Sequence, residues 1–259
     1  MPLKQHSYHT RTIGRAIGAL AVAAGLVCGT GAATAADFSG VWLPAGNLDA
    51  PLSADSAPVT PKAKAALATF DPRHKDSTRF CMPYGTPRNT LSTAPYPIEI
   101  LQRPERLTII FDRLGDVRRI YLDGRKRAKN VWPTWLGNSL GHWEGDTLVV
   151  DTVAMTSESI LTDDGLPHSD DMTLQERMNV IERDGGKVLK DEITITDPAM
   201  YAAPIKVARY FRRADDARMS EGSGLCLLDQ WRQRLETRNK TLAVRANVSD
   251  ESGGEGAGP

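Results

Sequence analysis

The sequence lacks the residue patterns that identify most metal and cofactor enzymes. It holds five His and three Cys among 259 residues. The histidines that follow residue 35 are His74, His142 and His168, and none of them lies at the short spacing of a zinc site. A Walker loop, a dinucleotide-binding fingerprint and a G-x-S-x-G elbow are absent as well. We therefore expect neither a metal site nor a cofactor.

The sequence also lacks an excess of charge and a long apolar run. Lys and Arg number 32, Asp and Glu also number 32, and the formal net charge is +0. Nucleic-acid binding is disfavoured, because it requires a concentrated basic face. The apolar run from Ala16 to Val27 is shorter than the roughly 20 residues that span a bilayer. We expect no stable membrane insertion, and the sequence does not indicate an oligomeric state.

The N-terminus has the three parts of a secretory signal peptide. Basic residues stand before the apolar run, and Ala33-Thr34-Ala35 follows it as an A-x-A cleavage site. The alternative is a membrane anchor, but the run is short and rich in Ala and Gly. We predict a Sec-type signal peptide over residues 1–35 and a periplasmic or secreted protein.

Cys81 and Cys226 remain after this cleavage. Disulfides persist in an oxidising compartment, so we predict that the two residues pair. The loop between them is long, and its closure is worth roughly 4–5 kcal/mol in a chain-entropy estimate. The alternative is two separate buried thiols.

The body of the chain has the period-two alternation of β-strands. Short Gly-containing turns, such as Glu144-Gly145-Asp146, separate its apolar segments and are typical of hairpins. The predicted strands are Asp37–Leu43, Glu99–Gln102, Arg106–Asp112, Val117–Leu122, Ser139–Trp143, Thr147–Val153, Met172–Glu182, Lys187–Thr196 and Ile205–Arg212. The pattern predicts a mainly β fold, either an antiparallel up-and-down barrel or a strongly curved sheet.

Other segments complete a single domain over residues 36–247. Residues 44–97 are rich in Pro, Ala, Ser and Thr and are predicted to wrap the barrel, with a short helix that Thr60 caps and Pro61 begins. Residues 225–244 have helical spacing of apolar side chains and predict an amphipathic C-terminal helix. Residues 248–259 are rich in Gly and acidic residues and predict a disordered tail.

Several segments resemble a large family of secreted bacterial proteins of unassigned function. The main one is PTWLGNSLGHWEGDTLVVDT, Pro133 to Thr152. Leu166 to Arg177, Ile195 to Ile205 and Cys81 to Asn89 are similar to the same family. The resemblance implies a lipocalin-like β-barrel and brings no established activity.

Three residues are candidates for acid–base catalysis. Alternation places Glu176 among apolar neighbours, where its carboxylate would be desolvated. The inward face of the strand that carries Asp151 stays ambiguous, and either carboxylate would instead be a surface group or the partner of an arginine. His168 lies in a long polar loop with Asp170 and Asp171, which would orient its imidazole for proton transfer, unless the loop is simply a solvated acidic segment.

A second set of residues is predicted to contact a ligand. Aromatic side chains at a barrel mouth would stack on a flat molecule, although they would equally close the end of the barrel. Cations and a histidine would pair with an anionic group. The candidates are Trp132, Trp135, Trp143, Tyr121, Arg119, Arg177 and His142.

These features lead to one main functional hypothesis and two alternatives. The main hypothesis is a barrel that binds a small, mostly apolar or aromatic molecule. The first alternative is a cofactor-independent periplasmic isomerase, lyase or hydrolase that uses carboxylate and histidine chemistry. The second is a structural or partner-binding module of the cell envelope.

Overall fold

The computed structural model describes residues 36–46, 49, 52–92, 94–183, 185–214, 219, 232–233 and 235–240. The predicted signal peptide, the predicted tail and Cys226 lie outside the described residues. Residues 232–233 and 235–240 are helical. The remainder of the helix predicted over residues 225–244 lies outside the described part of the chain.

The described residues form a closed barrel of nine strands. Each strand pairs with the next along the chain, and the ninth pairs with the first. This confirms the predicted mainly β barrel. The strands are β1 Gly40–Pro44, β2 Ile98–Arg103, β3 Arg106–Phe111, β4 Val117–Tyr121, β5 Asn138–Glu144, β6 Thr147–Val153, β7 Thr173–Arg183, β8 Gly186–Thr196 and β9 Ile205–Arg213.

One strand pair departs from the expected up-and-down pattern. β4 and β5 are parallel over Ile120↔Ser139 and Tyr121↔Leu140, whereas the other neighbouring pairs in the barrel are antiparallel. The reason is geometric, because directions that alternate around a ring cannot close on an odd number of strands. Residues 122–137 therefore carry the chain back from one end of the barrel to the other before β5 begins.

Strand alternation fills the barrel with two apolar clusters. The first packs near the end that carries the β5–β6 and β7–β8 turns, and its members include Phe38, Trp42 and Leu148. The indole of Trp42 donates to the carbonyl of Phe38 at 2.8 Å, and the ring of Phe38 lies 5.3 Å from that of Trp143. These aromatic side chains close this end of the barrel.

The second apolar cluster closes the opposite end with helices and loops. It joins Leu174 and Ile193 inside the barrel to Ala63, Leu91 and Met155 in the covering segments. The covering helices are α1 Pro61–Ala68, α2 Pro72–Lys75, a 3₁₀ helix at Ser77–Phe80 and α3 Thr86–Leu91. Within the described ranges, no helix is long and apolar enough to cross a membrane.

The first covering helix confirms the capping pattern seen in the sequence. Thr60 is the N-cap of α1, and its hydroxyl accepts from the amide of Ala63. Pro61 begins the helix, where it removes no intrahelical hydrogen bond. The helix ends at Ala68.

The third covering helix is a buried plug. All six residues of α3 are buried. The carboxylate of Asp116 accepts from the amide of Gly85 at 3.0 Å and from Asn89 Nδ2 at 2.7 Å. Arg88 pairs with Asp76 at 2.8 Å and with Asp163 at 2.7 Å. These bonds anchor the helix to the barrel and to the adjacent loop.

Candidate functional site

A buried ion pair crosses the interior of the barrel. Glu176 on β7 and Arg118 on β4 are each 1% exposed. The guanidinium holds the carboxylate with two hydrogen bonds, from Nη1 to Oε1 at 2.8 Å and from Nη2 to Oε2. Glu176 therefore has the inward position that alternation predicts. Its partner is an arginine, which is one of the alternatives that the sequence left open for this carboxylate.

Two hydroxyls complete the environment of Arg118. Its Nη2 donates to Thr152 Oγ1 at 2.8 Å, and its Nε donates to Ser139 Oγ at 3.2 Å. Ser139 and Thr152 lie opposite each other on β5 and β6, with their hydroxyl oxygens 2.9 Å apart. Each donor group of this guanidinium thus has a buried partner.

A buried aspartate and a buried arginine lie beside this ion pair. Asp191 on β8 faces Arg209 on β9, and both side chains are buried. Burial, followed by the charge of Glu176, raises the pKa of Asp191 well above its usual value. Burial lowers the pKa of Arg209 to about 10. Among the described residues, Asp191 Oδ1 and the Nε and Nη1 atoms of Arg209 have no hydrogen-bond partner.

These side chains form one polar layer between the two apolar clusters. On β7, Glu176 stands between Leu174 of one cluster and Met178 of the other. Asp191 and Arg209 have the same intermediate position on their own strands. The layer therefore holds two arginines, Arg118 and Arg209, beside two carboxyl groups, Glu176 and Asp191. Arg118 is fully hydrogen-bonded, whereas two guanidinium nitrogens of Arg209 are not.

A small cavity reaches Arg209. It lies between α3 and strands β2, β3 and β9, and has a volume of about 20 Å³. That volume accommodates about one water molecule. Its wall includes the aromatic side chains of Phe111 and Phe211, together with Arg113 and Asn89. The guanidinium carbon of Arg209 lies 5.0 Å from the ring centre of Phe211, and Arg113 is a second cation in the same lining.

His168 is buried in the loop between β6 and β7, away from Glu176. Its Nε2 is 2.6 Å from Ser159 Oγ, and its Nδ1 is 3.0 Å from the carbonyl oxygen of Ser169. Burial lowers its pKa from the ordinary value. The expected contact with Asp170 or Asp171 is replaced by these bonds to serine, and Asp170 instead accepts from the amide of Ser157.

Four of the predicted polar residues face outward. Asp151 is exposed and accepts from Gln175 Nε2 at 3.0 Å, so the ambiguous strand turns Val150 and Thr152 inward. Arg119 is exposed on β4. Arg177 and His142 both contact Glu144 on the outer surface, at 2.8 Å and 3.3 Å. None of the four shares the interior with Glu176.

The predicted aromatic residues are dispersed rather than gathered at one mouth. Trp132 is 84% exposed. Trp135 lies beneath α3, where its carbonyl accepts from the amide of Thr86 at 3.0 Å. Trp143 packs with Phe38 at the opposite end. The guanidinium carbon of Arg125 lies over the ring of Tyr121, 3.8 Å from the ring centre.

The remaining predictions concern cysteines and metals. Cys81 directly follows the 3₁₀ helix, in a left-handed conformation with φ 61°. Its predicted partner, Cys226, lies outside the described residues, so the disulfide stays a prediction. No group of three or more His, Cys, Asp or Glu with the geometry of a metal site occurs in the described part of the chain.

Asp191 and Arg209 were not predicted from the sequence, although a signal for them was present. Asp191 shares its face of β8 with Leu189 and Ile193, and Arg209 shares its face of β9 with Val207 and Phe211. These are the same alternations that placed Glu176 inside. Applied to every charged residue within a strand, the rule would have located the layer.

Comparisons with known proteins give a distant structural likeness. A point mutant of the fluorescent protein UnaG is similar at a TM-score of 0.32 and 14% identity, over 68% of this chain and 96% of that chain. No family model and no curated protein matches this sequence.

Proposed function

We propose that this chain is an exported β-barrel that binds a small molecule with an apolar or aromatic body and an anionic group. Arg209 is the partner of the anionic group. The observation that carries the proposal is the pair of unbonded guanidinium nitrogens, Nε and Nη1, on a side chain that is 2% exposed.

An unpaired buried cation is energetically costly. Removing a charged group from water costs several kcal/mol unless a counter-charge and hydrogen bonds replace the lost solvation. Arg118 shows the satisfied case in the same barrel, with a bidentate carboxylate and two hydroxyls. Arg209 faces Asp191, whose pKa is raised by burial, and neither Asp191 Oδ1 nor the Nε and Nη1 atoms of Arg209 have a hydrogen-bond partner among the described residues. A bound anionic ligand supplies the missing counter-charge and hydrogen-bond acceptors.

The residues around Arg209 indicate what the uncharged part of the ligand should be. Phe111, Phe211 and Ile98 give the cavity wall an apolar, largely aromatic surface, and Arg113 adds a second cation. The cavity holds about one water, so a larger guest requires the outer wall at residues 94–97 to move aside. A planar carboxylate fits these demands, because it pairs with a guanidinium and stacks on aromatic rings.

The binding proposal is tested with benzoate and its uncharged analogue benzamide. We expect benzoate to raise the melting temperature of the mature protein and benzamide to have little effect. Arg209→Met should abolish the benzoate effect, whereas Arg212→Met, an exposed arginine on the same strand, should retain it. Equal responses of the two variants, or no response of the wild type to benzoate, would contradict the proposal.

Export is the second part of the proposal, and its support is the N-terminal signal pattern together with the family resemblance. N-terminal sequencing of protein from the periplasm should begin at Ala36 if cleavage follows Ala35. A start at Met1 would reject the signal peptide.

A second candidate function is acid–base catalysis on the bound molecule. The observation in its favour is the buried carboxyl group of Asp191, whose Oδ1 has no hydrogen-bond partner among the described residues and whose pKa is raised by burial, as suits an interior acid–base group. Glu176 is less suited to that role, because Arg118 holds both of its oxygens. If the barrel is an enzyme, Asp191→Asn should abolish turnover of a substrate found for it and should still bind benzoate. Retained turnover would contradict this role.

A further inference from the structure

Ser159 lies on the wall of a second cavity, separate from the site at Arg209. This cavity has a volume of about 390 Å³, within the range of small-molecule sites. The covering segment contributes Phe70 and Phe80 to the wall, and the β6–β7 loop contributes Ser159 and Ile160. Ser159 is itself 1% exposed, so it belongs to the inner wall of a space that admits a small organic molecule.

The hydrogen bonds of His168 fix the direction of the proton on Ser159. The carbonyl of Ser169 can only accept, so Nδ1 of His168 carries the ring proton and donates to it at 3.0 Å. In the neutral ring, Nε2 is then the acceptor. Ser159 Oγ has two acceptors within reach, Nε2 at 2.6 Å and the carbonyl oxygen of Thr156 at 3.2 Å, and the shorter contact assigns its single proton to Nε2. This is the tautomer in which a histidine takes a proton from a serine.

The surroundings maintain this arrangement. Asp197 accepts from the amide and the hydroxyl of Ser169, at 2.6 Å and 2.9 Å, and so fixes the residue whose carbonyl receives the Nδ1 proton. Burial lowers the pKa of His168, so the ring is uncharged at neutral pH and its Nε2 lone pair is available.

We propose that Ser159 and His168 are a nucleophile and a general base that hydrolyse small carboxylic esters in this cavity. Ser159 Oγ bonds to the ester carbonyl carbon while its proton passes to Nε2. The bond to the alcohol oxygen breaks, and the alcohol leaves with that proton. Water then attacks the acyl-serine, gives one proton to Nε2, and releases the carboxylic acid as Oγ recovers a proton.

The cavity wall indicates the class of ester. Phe70, Phe80 and Ile160 provide an apolar surface for a short acyl chain or a ring. Lys75 and Arg238 line the same cavity together with Glu158, so its wall carries two cations and one carboxyl group. A small ester with an apolar acyl group fits this combination.

A fluorophosphonate probe tests the proposal on the full mature chain. Attack by Ser159 Oγ forms an oxygen–phosphorus bond, fluoride leaves, and peptide mass spectrometry should place the adduct on Ser159. His168→Gln should slow labelling by a factor on the order of 10²–10⁴. Ser56→Ala removes an exposed hydroxyl that does not line this cavity and should leave labelling unchanged. Hydrolysis of 4-nitrophenyl acetate should follow the same order among the variants.

The outcomes separate a catalytic pair from a structural one. If the histidine only stabilises the loop, the wild type gives no adduct, or labelling is equally fast in His168→Gln, and either result overturns the proposal. An adduct on another residue overturns it as well. If His168→Gln does not fold, the wild-type adduct map still decides. The labelling rate should also fall at acidic pH as His168 gains a proton.

Discussion

Replacing Arg118 by Met tests how the polar layer is held inside the barrel. The substitution removes both hydrogen bonds to Glu176 and those to Thr152 and Ser139. Ser139 and Thr152 still bond to each other, so the main loss falls on the carboxylate. Glu176 is 1% exposed, so water does not replace the missing cation.

The expected loss is large for one side chain. Breaking a buried ion pair by removing one partner costs about 3–5 kcal/mol of unfolding free energy. For a domain of this size, that loss lowers the melting temperature by roughly 6–20 °C, at about 2–4 °C per kcal/mol. The double variant Arg118→Met with Glu176→Leu removes both charges and should regain at least half of the loss, because an apolar replacement of a buried pair is close to neutral.

Urea denaturation followed by circular dichroism measures these differences. Arg119→Met is the matched control, since Arg119 is the exposed neighbour on the same strand, and its effect should stay within about 0.5 kcal/mol. A loss below about 1 kcal/mol for Arg118→Met would refute the reasoning. A double variant less stable than the single one would refute it as well.

Three further predictions concern other parts of the chain. The raised pKa of Asp191 means that the folded state keeps a proton that the unfolded state releases above about pH 4. Wild-type stability should therefore fall relative to Asp191→Asn as pH rises from about 4 to 8, and a pH-independent difference in urea titrations would contradict this. Gly137 and Gly145 both have a left-handed backbone, so replacing either by Ala should cost about 1 kcal/mol of unfolding free energy. At Gly137 a Cβ would lie 2.7 Å from Met155 Cγ and 2.8 Å from a carbonyl oxygen, which adds about 1–3 kcal/mol, so equal melting temperatures of the two variants would argue against the packing there. For the disulfide, alkylation of the protein purified without reductant should leave Cys81 and Cys226 unmodified, and modification of both would reject the pairing.

The strand pattern was readable from sequence because one face of each strand is buried. Buried Leu107, Ile109 and Phe111 alternate with more exposed residues along β3. Gly145 permits the tight β5–β6 turn, with φ +65°. Both signals depend on neighbours in the chain. The parallel β4–β5 pair was not predicted, because it follows from the number of strands in the closed ring rather than from any local pattern.

The candidate site was predicted only in part, for a similar reason. Glu176 could be placed inside by alternation, since its own strand carries the information. Its ion pair with Arg118 joins residues 58 positions apart. The position of Asp191 opposite Arg209 depends on the register of β8 and β9. Ser159 and His168 lie in a loop without periodicity, so no sequence rule brings them within hydrogen-bond distance.

The most direct measurement is a crystal structure of the mature protein purified from the periplasm, examined at Arg209. We expect electron density for an anionic group within hydrogen-bond distance of Nε and Nη1, with an apolar or aromatic body against Phe111 and Phe211. A guanidinium bonded to a carboxylate of the protein itself, or to water alone, would contradict the binding proposal.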